Sequence, residues 1–344
     1  MVHPLAIRNY IRFLAYNANP PEHVLLLGNG HFDYKNIIYN LPNYIPPYEK
    51  EHPFEINSKP LDILFTDLNR FDNSLTAILP DISIGRIPAN SQQDAESYVD
   101  KLARYESISP EDIIQNNWRS RILLIADDEV STFDKSEYYH LGFSEELISG
   151  NRIPGYFDIL KLYLYDYPLA PGGLGRSKPQ ATQDLISYIN SGVQLVNYYG
   201  HGSPTTWAHE SVFTIDRDGE KIQNPYKNPI IVAGTCDFGT FDQPNHPSAS
   251  VELINMEQRG AIAVLSASRP SYASGNRSLT YSFFSNFYRK GFPRGTNTIG
   301  EAFIKAVVAT GGYDNSQSYN LLGMPVLQPV INAYTIQIDS LSED

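Results

Sequence analysis

Short apolar runs alternate along this chain with longer stretches in which apolar positions recur every three or four residues, the rhythm of strands joined by helices. Residues 3–16 carry Ile7, Tyr10, Ile11 and Leu14 at helical spacing, and Asn19-Pro20-Pro21 stops that helix. Residues 24–27 read as a buried strand running into Gly28-Asn29-Gly30, and the Pro- and Tyr-rich section over 41–60 reads as an ordered surface excursion. The pattern predicts a strand over 82–87 and a helix over 91–105 with Ser91 as its N-cap. Further strands are expected at 122–126, 159–163, 195–199, 230–234 and 261–265, with helices at 182–190, 248–257 and 298–309. This order predicts an α/β, layered αβα fold with a mainly parallel sheet. The stretch 107–117, with Pro110 and paired asparagines, is the expected boundary between two sub-domains, 1–110 and 111–330. Residues 330–338 alternate like an edge strand, so 331–344 is expected to be a tail or the start of a following domain.

Composition narrows the class. The apolar fraction of 42% with 24 Tyr and 16 Phe supplies a substantial core, which excludes a disordered chain. A net charge of −12 with no dense Lys/Arg cluster argues against nucleic-acid binding. One cysteine in 344 residues means no internal disulfide, which leaves the compartment open. The opening MVHPLAIRNYIRFLAYNANP lacks the apolar stretch of a signal peptide, and no run of 18 apolar residues exists to form a membrane span.

The single cysteine is where the chemistry concentrates. VNYYGHG at 196–202 and IVAGTCDF at 231–238 each form a β-rich run that ends in a small residue and then presents one reactive side chain. The first delivers His201 and the second Cys236. Ligands in open α/β sheets bind beyond the carboxyl ends of strands, and the 35 residues between the two allow one crossover between adjacent parallel strands. An imidazole that holds a thiol as thiolate is the requirement of a cysteine peptidase. Gly202 permits close backbone approach, and its N–H with that of Cys236 could hold an oxyanion. The bland alternative is a buried cysteine and a satisfied core histidine. Glu210 and Asp237 are the acids nearest the pair in sequence. Asp237, next to the nucleophile, would face away if the strand continued, and equally reads as a turn acid. Trp207 and Tyr272 are candidates to wall a substrate cleft. A zinc site of His201, His209, Cys236, Asp237 and His246 finds no support in a CxxC or HExxH pattern.

These residues sit in blocks that are recognisable together. VLLLGNGHFDYKN at 24–36, PDISIGRIPANSQQDAESYVDKLARYE at 80–106, VNYYGHGSPTTWAHE at 196–210, GTCDFGTFDQP at 234–244 and YNLLGMPVL at 319–327 resemble, in order, the gingipain family of cysteine peptidases. Within that family they are most similar to the PorU-type C-terminal-signal peptidases, or sortases, of the type IX secretion system. The resemblance implies a caspase-like fold with His201 and Cys236 as catalytic dyad and a thioester intermediate. It further implies exported protein cargo as substrate, secretion-machinery components as partners, and a secreted or outer-membrane-associated location. Some gingipains carry an acid near the end of the GR(I/F) block, where this chain has Ala89-Asn90. An acid in the primary pocket of arginine-specific members suggests Asp100 as its counterpart. No cofactor is required; structural calcium is implied, with the oxygen-rich FTDLNRFDN loop at 65–73 as its candidate site.

Overall fold

The computed structural model describes residues 3–17, 20–54, 58–70, 74–107, 117–128, 139–170, 176–288 and 297–329. The expected boundary at 107–117 and the expected edge strand at 330–338 fall almost wholly outside them. Among the described residues one sheet of eight strands organises the fold. The strands are β1 (His23–Leu27), β2 (Ser83–Ile87), β3 (Arg121–Ala126), β4 (Asp158–Tyr163), β5 (Leu195–Tyr199), β6 (Ile230–Gly234), β7 (Ala263–Ala267) and β8 (Tyr319–Gly323). Their spatial order is β1-β2-β8-β7-β6-β5-β3-β4.

Every pairing is parallel except β7 with β8. The sheet therefore consists of two parallel groups running in opposite directions and meeting at that seam. β2 and β5 to β8 are buried along their whole length, as expected for strands covered on both faces, while the edge strand β1 exposes Leu25 and Leu27. The adjacent residues Tyr198 and Tyr199 point to opposite faces of β5. Tyr199 packs edge-on to Phe143 of helix α3 (Tyr139–Ser149), and Tyr198 stacks on Trp207. Phe238, beside Trp207, accepts a hydrogen bond from Ser250 of α5 (Ala249–Asn255). Helices thus cover both faces.

The remaining α-helices of more than four residues are α1 (Pro4–Asn17), α2 (Gln92–Glu106), α4 (Pro179–Ser191), α6 (Ala273–Phe287) and α7 (Ile299–Ala309). Ser91 does cap α2, its side chain accepting the Asp94 N–H, and Thr298 with Glu301 forms a capping box on α7. In α1, Ile11 faces the core but Tyr10 is exposed. The last expected parallel strand begins two residues later than its apolar run. The N–H groups of Ala261 and Ile262 are first used by the carbonyls of Leu253 and Pro229. No helix among the described residues is long and apolar enough to cross a membrane.

Candidate active site

β5 and β6 are neighbours in register, with Tyr199 opposite Gly234. His201 and Cys236 each follow the last strand residue by two positions, so both emerge side by side at the same sheet edge. The approach is close enough to require glycine. A Cβ on Gly202 would lie 2.5 Å from Thr235 Oγ1 and 3.1 Å from the Cys236 carbonyl oxygen.

The main chain of His201 is held from three sides. Its N–H donates to Asp127 Oδ2 at 3.2 Å, and its carbonyl accepts from the Tyr198 hydroxyl at 2.6 Å and the Ala208 N–H at 2.9 Å. Two further histidines flank the ring: His209 stacks on it with centroids 4.3 Å apart, and buried His140 meets it edge-on at 6.0 Å.

Cys236 is half-buried, and its Sγ sits against the loop that follows β7. The thiol donates to the Ser271 carbonyl at 3.3 Å, while Sγ accepts from the Ser271 N–H at 3.3 Å and more distantly from its hydroxyl at 3.8 Å. Among the described residues neither the Gly202 nor the Cys236 N–H has an acceptor. Two amides beside the thiol are available to an oxyanion.

Asp127, which the sequence reading passed over, is the acid hydrogen-bonded to the main chain of His201. It immediately follows β3, the other neighbour of β5, and its N–H donates to the Tyr199 carbonyl. Burial pushes its carboxyl up to about 6; His201 opposes that shift and Glu210 adds to it. The available signal was the acid pair Asp127-Asp128 set directly after the apolar run over 122–126. Glu210 is buried close by, with its carboxylate 2.5 Å from Arg176 Nη2. Asp128 is paired with Lys178.

Other expected positions fall elsewhere. Trp207 is buried between Tyr198, Phe213 and Phe238, and so is core rather than cleft wall. Asp100 pairs with Arg104 on α2. That helix reaches the opposite edge, where the Tyr98 hydroxyl donates to Ile262 and Lys101 to Ala261, at the amino end of β7. Asp100 is therefore no pocket acid. Ala89 and Asn90 lie at that same far edge, because β2 runs against β5 and β6. Asp237 sits in a left-handed turn with φ of 57°, its N–H donating to the Arg269 carbonyl, because the strand ends at Gly234. Burial raises its carboxyl, opposed by Arg269, and no contact joins it to His201. Tyr272 is 74% exposed and follows Ser271, whose main chain contacts Cys236 Sγ.

The described acid groups are already engaged by protein partners. In the 65–73 loop Asp67 accepts from Arg70 and from the Leu79 N–H, and residues 71–73 lie outside the described ones. The carboxylates of Asp127, Asp128 and Glu210 converge within 4.8 Å, but Lys178 and Arg176 already supply their positive charge.

The family model for Peptidase family C25 matches residues 2–330. The chain belongs to that family, the gingipain-type cysteine peptidases. A C25 relative, a Lys-gingipain of Porphyromonas gingivalis, is 26% identical over 193 residues, 56% of this chain and 10% of its own length. Gingipain R2 of the same organism is 28% identical over 165 residues, 47% of this chain and 19% of its own. The chain thus spans only a small part of the curated relatives it matches. The crystal structure of the Arg-specific cysteine proteinase gingipain R superimposes with a TM-score of 0.69 at 20% identity, covering 95% of this chain and 69% of that one. Its fold is the gingipain fold.

Proposed function

We propose that this C25 chain is an active thiol endopeptidase in which Cys236 is the nucleophile and His201 the general acid and base. The observation that carries this reading is the delivery of both residues by adjacent strands, with two unengaged amides beside them. The proton of Cys236 passes to His201, and the thiolate attacks the scissile carbonyl carbon. The resulting oxyanion is held by the Gly202 and Cys236 N–H groups. Collapse breaks the C–N bond as His201 returns its proton to the leaving amine, which leaves a thioester on Cys236. A nucleophile then adds to the thioester carbon, gives its proton to His201 and expels the thiolate.

The finer reading is that this nucleophile is an amine as well as water and that the substrates are exported proteins trimmed of a C-terminal signal at the cell surface. It is supported by the resemblance of the five sequence blocks, from 24–36 to 319–327, to PorU-type sequences. Thiol alkylation tests the dyad first. Iodoacetamide near neutral pH is expected to modify Cys236 faster than a free thiol, and His201→Ala to slow it by roughly tenfold or more. Equal rates in the two proteins would sink the peptidase reading. Adding glycinamide to a peptide digest separates the finer one: amidated products support transfer, and their absence leaves hydrolysis alone.

A further inference from the structure

His209 lies outside the steps just described, yet the chain is bent to place it. Ala208, immediately before it, is buried and holds φ of 63°, a left-handed conformation that costs a non-glycine residue about 1 kcal/mol. That conformation is fixed on both sides. The Ala208 N–H donates to the His201 carbonyl, and Trp207 before it pairs with Gly202 in an isolated antiparallel bridge. Glu210, directly after it, is buried and paired with Arg176. The turn lays the exposed His209 ring over the His201 ring, 4.3 Å between centroids and 27° between planes.

We propose that His209 is a positioning residue that holds the His201 imidazole in its working orientation by face-to-face stacking. The main chain of His201 is anchored by Asp127, Tyr198 and Ala208, through bonds made to its backbone and not to its ring. His140 touches the ring only edge-on, at 6.0 Å. An aromatic face laid on the imidazole restricts the torsion that swings it toward or away from Cys236. The stacking contact is worth enough to matter, since aromatic pairs contribute about 0.5–1.5 kcal/mol beyond their buried area. This inference rests on the dyad reading. It assigns the role to the ring plane of His209, so that a flat apolar ring should serve.

The test compares wild type with His201→Ala, His209→Ala and His209→Phe, using iodoacetamide as the probe. Because residue 209 is exposed, both of its variants are expected to keep the wild-type melting temperature. His209→Ala should slow Cys236 alkylation about fivefold, and His209→Phe should restore it to within about twofold of wild type. In ¹³C-histidine NMR spectra the His201 ring protons should move downfield in His209→Ala, out of the shielding of the lost ring, and remain shielded in His209→Phe. A His209→Ala rate equal to wild type, with His201→Ala slow, overturns the positioning role and leaves the dyad intact. Equal slowing by Ala and Phe also overturns it, because the need would then be for an imidazole. A His201→Ala rate equal to wild type removes the dyad itself.

Discussion

Asp127 is placed to support His201 and destabilises the fold in doing so. Burial raises its carboxyl to about 6 from an ordinary 3.8, so between those values the folded protein binds a proton more tightly than the unfolded chain does. The protonated group therefore favours the folded state below about pH 4, and that contribution is lost as pH rises through about 6. At pH 7.5 the buried carboxylate is a net cost. Asp127→Asn should consequently raise stability at pH 7.5 by on the order of 1–2 kcal/mol and leave it unchanged at pH 4, as read by urea melts. The same variant should lower activity by roughly tenfold, because the His201 imidazolium loses a negative charge that attracts it. Unchanged activity would detach Asp127 from the site. Gly202→Ala is expected to lower both measures. Its Cβ would press on buried Thr235 and the Cys236 carbonyl, so stability lowered by about 1–3 kcal/mol together with slowed Cys236 alkylation is the expected pair of results. The placement of His201 and Cys236 at one sheet edge was legible, because the two share one local signature. Asp127 was not, since it stands 74 residues before His201 and only the pairing of β3 with β5 joins them.

At the scale of elements, the loops after β6 and β7 act as one body. Arg269, two residues after β7, makes a buried bidentate pair with Asp242 from the loop that carries Cys236. Its side chain also donates to the Ser58 carbonyl, and its own carbonyl accepts the N–H of Asp237. Removing the guanidinium leaves Asp242 buried and unpaired. Arg269→Ala is expected to cost about 3–5 kcal/mol in chemical denaturation and to slow Cys236 alkylation even under conditions where the protein remains folded. Wild-type alkylation in the folded variant would show that the two loops are independent. The elements that the apolar pattern made visible are those whose burial follows their own periodicity. α6 escaped it because ASGNRSLTYSFFSNF mixes glycine, serine and asparagine; its helix is decided by burial of Leu279, Phe283, Phe284 and Phe287. β8 escaped it because Tyr319 and Asn320 open a run too short to separate from a loop by period. Trp207 looked like a cleft residue because its surroundings, Tyr198 and Phe238, come from two distant segments.

Across the whole molecule, the strand reversal at β7 and β8 explains why block order in sequence misplaced Asp100 and the Ala89-Asn90 position. Consecutive strand-helix units suggest one carboxyl edge for all strands, but β1 and β2 run parallel to β8 and so end at the edge opposite the dyad. A reversal of this kind depends on which strand docks between the two groups, information carried by a segment more than 200 residues after β2. The same topology bears on the two expected sub-domains. Within residues 1–110, β2 has β1 on one side, whereas its other neighbour is β8, Tyr319–Gly323. Tyr98 of α2 likewise spends its hydroxyl on Ile262 and Met324, and Lys101 donates to Ile254 and Ala261. A fragment of residues 1–110 would therefore leave one edge of β2 open and a buried tyrosine and lysine without acceptors. It is expected to show no cooperative thermal transition by circular dichroism, while the full chain unfolds with coincident fluorescence and circular dichroism transitions. A fragment that melts cooperatively would establish the first 110 residues as an autonomous domain and confine the coupling between the halves to the β2–β8 contact.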